Sequence, residues 1–221
     1  MRVCLIWILL IFQSLSAHEP LSRNLKPKFE PDFYIRESLK YFDTIDTFAS
    51  RDSKPKYGKR VIRWEWYPWL YLTGYKRLSM KLDRVLTWYP TKVINRDCRF
   101  FKVQPFGRCR VTFHYLKPDV KIDIYEEFTF NDLGEITFIE AWSDEPGRMP
   151  TDDPNDPWVQ GKAHRLSTKV PGLGNSDGKL SRKALRKLSK TDPDLKNLRK
   201  RLNLPISFWM KEAVRFLFKG H

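Results

Sequence analysis

The sequence predicts an α+β domain: helices on one face of a curved antiparallel sheet, followed by a basic helical tail. Three observations predict it. Two segments with helical spacing come first and four with strand spacing follow, the order expected when helices segregate to one face of an antiparallel sheet. The strand half ends in a hairpin, Lys121 to Asp144, whose apolar residues alternate on both sides of Asn131-Asp132-Leu133-Gly134. Past Asp144 the composition changes, first to prolines and glycines and then to lysines, arginines and leucines.

In chain order, residues 1–17 have the pattern of a secretory signal peptide. Arg2 is a small positive start, Val3 to Phe12 is an apolar core too short to span a bilayer, and Ser14, Ser16 and Ala17 offer a cleavage site. The expected location is secreted or in the secretory-pathway lumen. Residues 18–31 are polar, carry Pro20, Pro27 and Pro31, and read as an extended leader. The folded domain is expected over residues 32–144.

Asp32 is placed to cap a helix from Phe33 to about Ala49, with Ile35, Leu39, Phe42, Ile45 and Ala49 at helical spacing. Arg51 to Lys59 reads as a basic loop. Ile62, Trp64 and Trp66 then alternate with Val61, Arg63 and Glu65 until Pro68 stops the strand. This tryptophan- and tyrosine-rich piece suits a ligand-lining wall or ordinary core. Leu78, Leu82, Val85 and Leu86 give a second helix, and strands follow at Arg99 to Val103 and Arg110 to Leu116.

Removal of the signal segment removes Cys4 and leaves Cys98 and Cys109. An even count in an oxidising compartment favours one disulfide. A tight turn at Gln104-Pro105-Phe106-Gly107 would instead set Cys98 opposite His114, with the two cysteines on opposite faces, so the bond needs a wider loop.

In the Lys121–Asp144 hairpin, a type I turn with Gly134 left-handed pairs Phe130 with Ile136, Phe128 with Phe138, Glu126 with Glu140 and Ile124 with Trp142. All eight then share one face. Glu126 and Glu140, directly opposite, would repel, and burial would raise at least one pKa. That arrangement suits acid/base chemistry, with His114 as an accessory base; the alternative is that each carboxylate pairs with an Arg or Lys of a neighbouring strand. No metal-ligand spacing, phosphate loop or nucleophile elbow is present, and no cofactor is expected.

The helical first half and the YEEFTFNDLGEITFIEAWSD hairpin resemble the nuclear transport factor 2-like superfamily, over about residues 32–144. The resemblance implies a cone-shaped fold whose helices and concave sheet enclose an apolar pocket, as in ketosteroid isomerases and polyketide cyclases. It implies Glu126, Glu140 and His114 as pocket residues that could do chemistry. Trp142, Phe128 and Phe138 would line that pocket, with Trp64 and Trp66 at its walls.

Residues 145–178, with five prolines and five glycines, read as a linker. Residues 179–221 hold 13 Lys and Arg against 3 Asp and Glu, a net of +10, whereas residues 18–178 hold 27 against 23. The basic character of the chain therefore lives in its tail. Leu180, Ala184, Leu185 and Leu188 give one helical stripe, and Thr191 or Asp192 is placed to cap a second short helix through Leu202. Such a tail suits an anionic membrane surface, an acidic protein or docking on its own domain; secretion disfavours nucleic acid. The leading expectation is a domain that binds a small apolar ligand. The rivals are an isomerase/dehydratase or cyclase-type enzyme using Glu126 and Glu140, and a homodimerising module that pairs through Tyr125, Thr137 and Ile139.

Overall fold

The computed structural model describes residues 26–50, 54–66, 73–75, 90–117, 119–143, 166, 182–205, 207–208 and 211. The expected signal segment, the expected helix at 78–86 and most of the proline- and glycine-rich segment lie outside the described residues.

Helix α1 spans Pro31–Ile45. Pro31 takes the first turn, where its missing N–H is not needed and its φ already suits a helix. Asp32 therefore lies inside the first turn rather than capping it, where its charge still complements the helix dipole. The helix stops at Asp46, whose N–H donates to the Phe42 carbonyl at 2.9 Å. The Asp46 carboxylate accepts from the N–H of Phe48 and Val93 and from Arg96 Nη2, which ties the helix end to the sheet.

The buried stripe of α1 is Tyr34, Glu37, Ser38, Tyr41, Phe42 and Ile45; Ile35 and Leu39 are only half-buried. The stripe is rotated from the expected one because of what lies beneath it. The Tyr34 ring packs among Phe100, Phe106 and Phe130 at centroid distances of 5.5, 5.0 and 5.1 Å. Ser38 rests on Gly107, where a Cβ would collide with its Oγ.

Six strands follow: β1 Tyr57–Glu65, β2 Thr73–Tyr75, β3 Thr91–Phe100, β4 Gly107–Tyr115, β5 Val120–Phe130 and β6 Ile136–Ser143. They form one curled sheet in the order β2-β1-β6-β5-β4-β3. The meander β3 to β6 is antiparallel as expected. β1 joins it parallel to β6, through pairs such as Ile62 with Phe138 and Trp64 with Glu140, so the sheet is mixed. Alternation in the sequence marks β1 as a strand but carries no information about a partner so distant in the chain.

The β5–β6 turn forms where expected. Asn131 Oδ1 accepts from the N–H of Leu133 and Glu135, and Gly134 has φ +72°. A side chain at Gly134 would also meet the Phe33 ring at 2.6 Å. Phe130 pairs with Ile136 as predicted, but a bulge between Thr129 and Phe130 shifts everything beyond it by one residue. The next pairs are Thr129 with Phe138, Phe128 with Ile139, Glu127 with Glu140 and Glu126 with Ala141. The expected pairing of Glu126 with Glu140 is therefore wrong, and the eight residues expected on one face divide between two.

The β3–β4 connection is also corrected. β4 begins at Gly107, so residues 101–106 make a wide loop, held by Gln104, whose Nε2 donates to the Phe130 carbonyl. Cys98 now faces Cys109 rather than His114, and the two are bonded, with Cα atoms 4.1 Å apart.

Both faces of the sheet are covered. Under α1 lies one core, which includes Tyr41, Phe42, Ile45, Val61, Phe113, Phe128 and Phe130. On the other face Ile62, Trp64 and Phe138 pack with Leu166, Leu185, Leu195 and Leu198. Leu185 belongs to α2 (Arg182–Leu188), and Leu195 and Leu198 belong to α3 (Pro193–Arg201). Pro193 opens α3 and Asp192 caps it, accepting from the N–H of Asp194 and Leu195, the start the sequence indicates. The apolar side of these helices is thus spent on their own domain. Leu166, within the expected linker, is fully buried. Tyr125, Thr137 and Ile139, expected to form an outer dimerising face, are each 2 % exposed or less, and Ile139 lies in the core under α1.

Candidate functional site

The register places buried charge on both faces of the sheet. Side chains alternate along each strand, so Glu126, with Phe128, belongs to the α1 side, whereas Glu127 and Glu140 belong to the side covered by α2 and α3. β1 follows the same rule: Val61 lies in the core under α1 and Ile62 and Trp64 in the other, which puts Arg63 and Glu65 on the α1 side.

On that side Glu126, Arg63 and Glu65 converge. Along one row of the sheet Glu126 faces Ala141, which faces Glu65. The small Ala141 leaves space between the two carboxylates, and the Arg63 guanidinium enters it. Its Nη2 lies 2.5 Å from Glu65 Oε1 and 3.6 Å from Glu126 Oε1. Its Cζ stands 5.7 Å above the centre of the Tyr41 ring, a cation–π distance. Glu126 has no solvent exposure, and Arg63 and Glu65 have less than a tenth. Burial of the Tyr115 phenol, reinforced by Glu65 and Glu126 and opposed by Arg63, holds its pKa well above the ordinary phenol range. The group consists of two acids, one base and two phenols at the edge of an aromatic core.

The opposite cluster is knitted into the scaffold. Glu127 accepts from the Tyr125 hydroxyl at 2.9 Å and lies 3.8 Å from Arg108 Nε. The Arg108 guanidinium stacks 4.0 Å over the Phe101 ring and donates to the Pro105 carbonyl. Glu140 Oε1 accepts from the Trp66 indole at 2.9 Å and from the Leu166 N–H at 2.7 Å. These carboxylates join β1, the β3–β4 loop and the segment carrying Leu166, which is a structural use of buried charge.

The residues singled out by the sequence are thus divided. Glu126 and Phe128 lie under α1. Phe128 is core, its ring 5.1 Å from Tyr41 and 5.7 Å from Phe42. Glu140, Trp64, Trp66, Phe138 and Trp142 lie on the far side of the sheet. There Trp66 stacks on Trp142 at 6.5 Å, and Trp64 and Phe138 pack against the tail leucines. They cannot share a pocket with Glu126, because the sheet itself separates them.

His114 joins neither group. It faces Lys92 and Lys121 across the sheet, and its Nε2 lies 2.6 Å from Asp119 Oδ1. That hydrogen bond holds the exposed Asp119 carboxyl below its usual range. Its role is to fasten the β4–β5 turn. Among the described residues no three His, Cys, Asp or Glu side chains gather as metal ligands.

Arg63, Glu65, Tyr115 and Tyr41 were missed by sequence reasoning. The alternation of Val61, Arg63 and Glu65 against Ile62, Trp64 and Trp66 was visible, and an Arg and a Glu on one edge of a strand otherwise so apolar is the signal. Their convergence with Glu126 needed the parallel β1–β6 pairing and the Thr129 bulge. Comparison with known protein families, with curated proteins and with solved structures returns no match for this chain.

Proposed function

We propose that this is a ligand-binding domain of the nuclear transport factor 2-like kind, acting in the secretory lumen or outside the cell. It takes a small, mostly apolar molecule on the α1 side of the sheet, with the molecule's polar end toward Arg63, Glu126 and Tyr115. The observation that carries the proposal is the convergence of Arg63, Glu65 and Glu126 beneath α1. Buried ion pairs contribute little net stability compared with apolar residues of the same volume, whereas functional sites concentrate such groups. The curled sheet with α1 laid across it is compatible with a cone-like fold. The Cys98–Cys109 bond suits an oxidising compartment.

One observation also favours an acid/base enzyme of the isomerase, dehydratase or cyclase type. Burial raises the pKa of the Tyr115 phenol, and the carboxylates of Glu65 and Glu126 add to the shift, so a protonated phenol lies within electrostatic range of a buried carboxylate. Glu126 then carries the role that the sequence divided between Glu126 and Glu140.

The test is mass spectrometry of small molecules extracted from the purified chain, followed by thermal shift with the compounds found and with a panel of apolar ketones, alcohols and acids. Binding should weaken at least about tenfold in Tyr115→Phe and Glu126→Gln. Binding that is indifferent to both substitutions would place the ligand elsewhere, and no bound compound together with no response to the panel would remove the pocket reading. Turnover lost in Glu126→Gln with binding retained would select the enzyme.

A further inference from the structure

The C-terminal helices show their cations to solvent and their leucines to the sheet. α2 and α3 bury Leu185, Leu195 and Leu198 against Ile62, Trp64 and Phe138. Arg186 and Lys187 in α2, Lys190 just beyond it, and Lys196, Arg199 and Lys200 in α3 are all exposed. Among the described residues none of these six makes an ion pair. Arg199 and Lys200 follow Lys196 by three and four residues, so these three share one side of α3. Arg199 Nη1 donates to Ser189 Oγ at 3.3 Å, which ties α3 to the end of α2. Asp192 and Asp194 sit at the start of α3, and Asp192 is spent on the cap.

We infer that these six cations bind a sulfated polysaccharide chain. Like charges held together without counter-charges are unfavourable unless solvent or a partner neutralises them. Clustered Lys and Arg suit heparin-like chains and nucleic acids alike, and the compartment chooses between them. The Cys98–Cys109 bond and the leader-like residues 1–17 suit the secretory lumen or the cell exterior. On that side of the membrane the polyanions are sulfated polysaccharides, whereas the anionic lipid leaflet faces the cytoplasm. The choice of partner rests on the placement proposed above and is independent of the apolar ligand. The side chains fit the anion: a sulfate, like a phosphate, offers oxygens to the Arg fork and to the Lys point charge. A flexible linear polyanion asks only for cations within reach of one another and for no particular surface shape. Its binding releases counterions, so salt weakens it.

The experiment is titration of the full chain with heparin, with desulfated heparin, single-stranded RNA and phosphatidylserine vesicles as comparisons. Two quadruple variants carry equal charge changes. One is Lys187→Gln, Lys190→Gln, Lys196→Gln, Lys200→Gln; the other is Lys26→Gln, Lys28→Gln, Lys102→Gln, Lys121→Gln, at exposed positions elsewhere. Circular dichroism and melting temperature check that both fold. Heparin should bind best. Its affinity should fall at least about tenfold in the tail variant, with a shallower dependence on salt, and stay within about twofold in the other. Equal losses in the two folded variants would mean net charge alone, and would overturn the proposal. So would equal affinity for desulfated heparin, RNA or vesicles, or no binding to heparin at low salt. In cultured animal cells a tagged full chain should reach the surface and be released by heparin lyase. A chain that stays in the cytosol would overturn the choice of partner through its placement, and the heparin titration shows separately whether the surface itself fails.

Discussion

Glu127 and Glu140 stand directly opposite each other on β5 and β6, both sealed from solvent. Two carboxylates so placed should repel. Each brings its own donors: Tyr125 and Arg108 for Glu127, Trp66 and the Leu166 N–H for Glu140. The pair works as a rivet through three parts of the chain.

Removing one side of that rivet should be costly. Glu140→Ala leaves the Trp66 indole and the Leu166 N–H without their shared acceptor, for a loss of about 3 kcal/mol. Glu140→Gln keeps an acceptor oxygen for both and removes a charge beside Glu127, so it should stay within about 1 kcal/mol of the parent. Urea denaturation followed by tryptophan fluorescence measures both. Equal stability of the two variants would refute the structural role.

The Cys98–Cys109 bond closes a loop of sequence separation 11. Cys98→Ala/Cys109→Ala should lose about 3 kcal/mol, the value for loops near this length. Because Cys109 is fully buried, a mild reductant should act slowly on the native chain and quickly once urea unfolds it. Maleimide labelling of both cysteines in the denatured, unreduced chain would show that the bond does not form.

Tyr115 makes stability fall in alkali. Its folded pKa lies above the ordinary phenol value of 10.0, raised chiefly by burial. Below about pH 10 the phenol is neutral in both states and contributes no pH dependence. Above that the unfolded chain releases the proton while the folded chain keeps it, so folding weakens as pH rises. Absorbance at about 295 nm should show a late phenol step, and Tyr115→Phe should reduce that step by one phenol and flatten the alkaline loss. A late step of unchanged size in Tyr115→Phe would contradict the assignment.

Gly107→Ala should destabilise by about 1–3 kcal/mol through the clash of its Cβ with Ser38 Oγ. Adding Ser38→Ala should recover part of that loss. A double-mutant cycle on thermal or urea midpoints gives the coupling; a coupling of zero would mean that α1 does not rest on β4 at this point.

The residues explain what was legible. The Asn131–Gly134 turn, the strand containing Arg63 and the Asp192 cap depend on neighbours within a few positions, and each is readable from local chemistry. The faces of β5 were not readable, because Glu126, Glu127 and Thr129 are all buried and polar residues in such a run carry no simple alternation. One bulge at Thr129 then exchanged Glu126 for Glu127 opposite Glu140, since adjacent glutamates let a slip of one residue replace the partner. Leu166 in the outer core left no trace in a proline- and glycine-rich stretch. The convergence of Arg63 with Glu126 depends on a pairing between the ends of the domain, which no local pattern encodes.

That pairing of β1 with β6 also governs how the chain must be made. During synthesis Ile62 and Trp64 emerge well before Phe138, and the leucines of α2 and α3 come later still. Contacts so distant in sequence form slowly and only after loop closure. Until α3 is complete, that side of the sheet lacks the cover of Leu195 and Leu198, and products truncated before Leu195 should expose more of Trp64 and Phe138 as a sticky surface. The last residues to be made are thus the ones that finish burying some of the first: the fold closes at its C-terminal helices, over a strand laid down near its start.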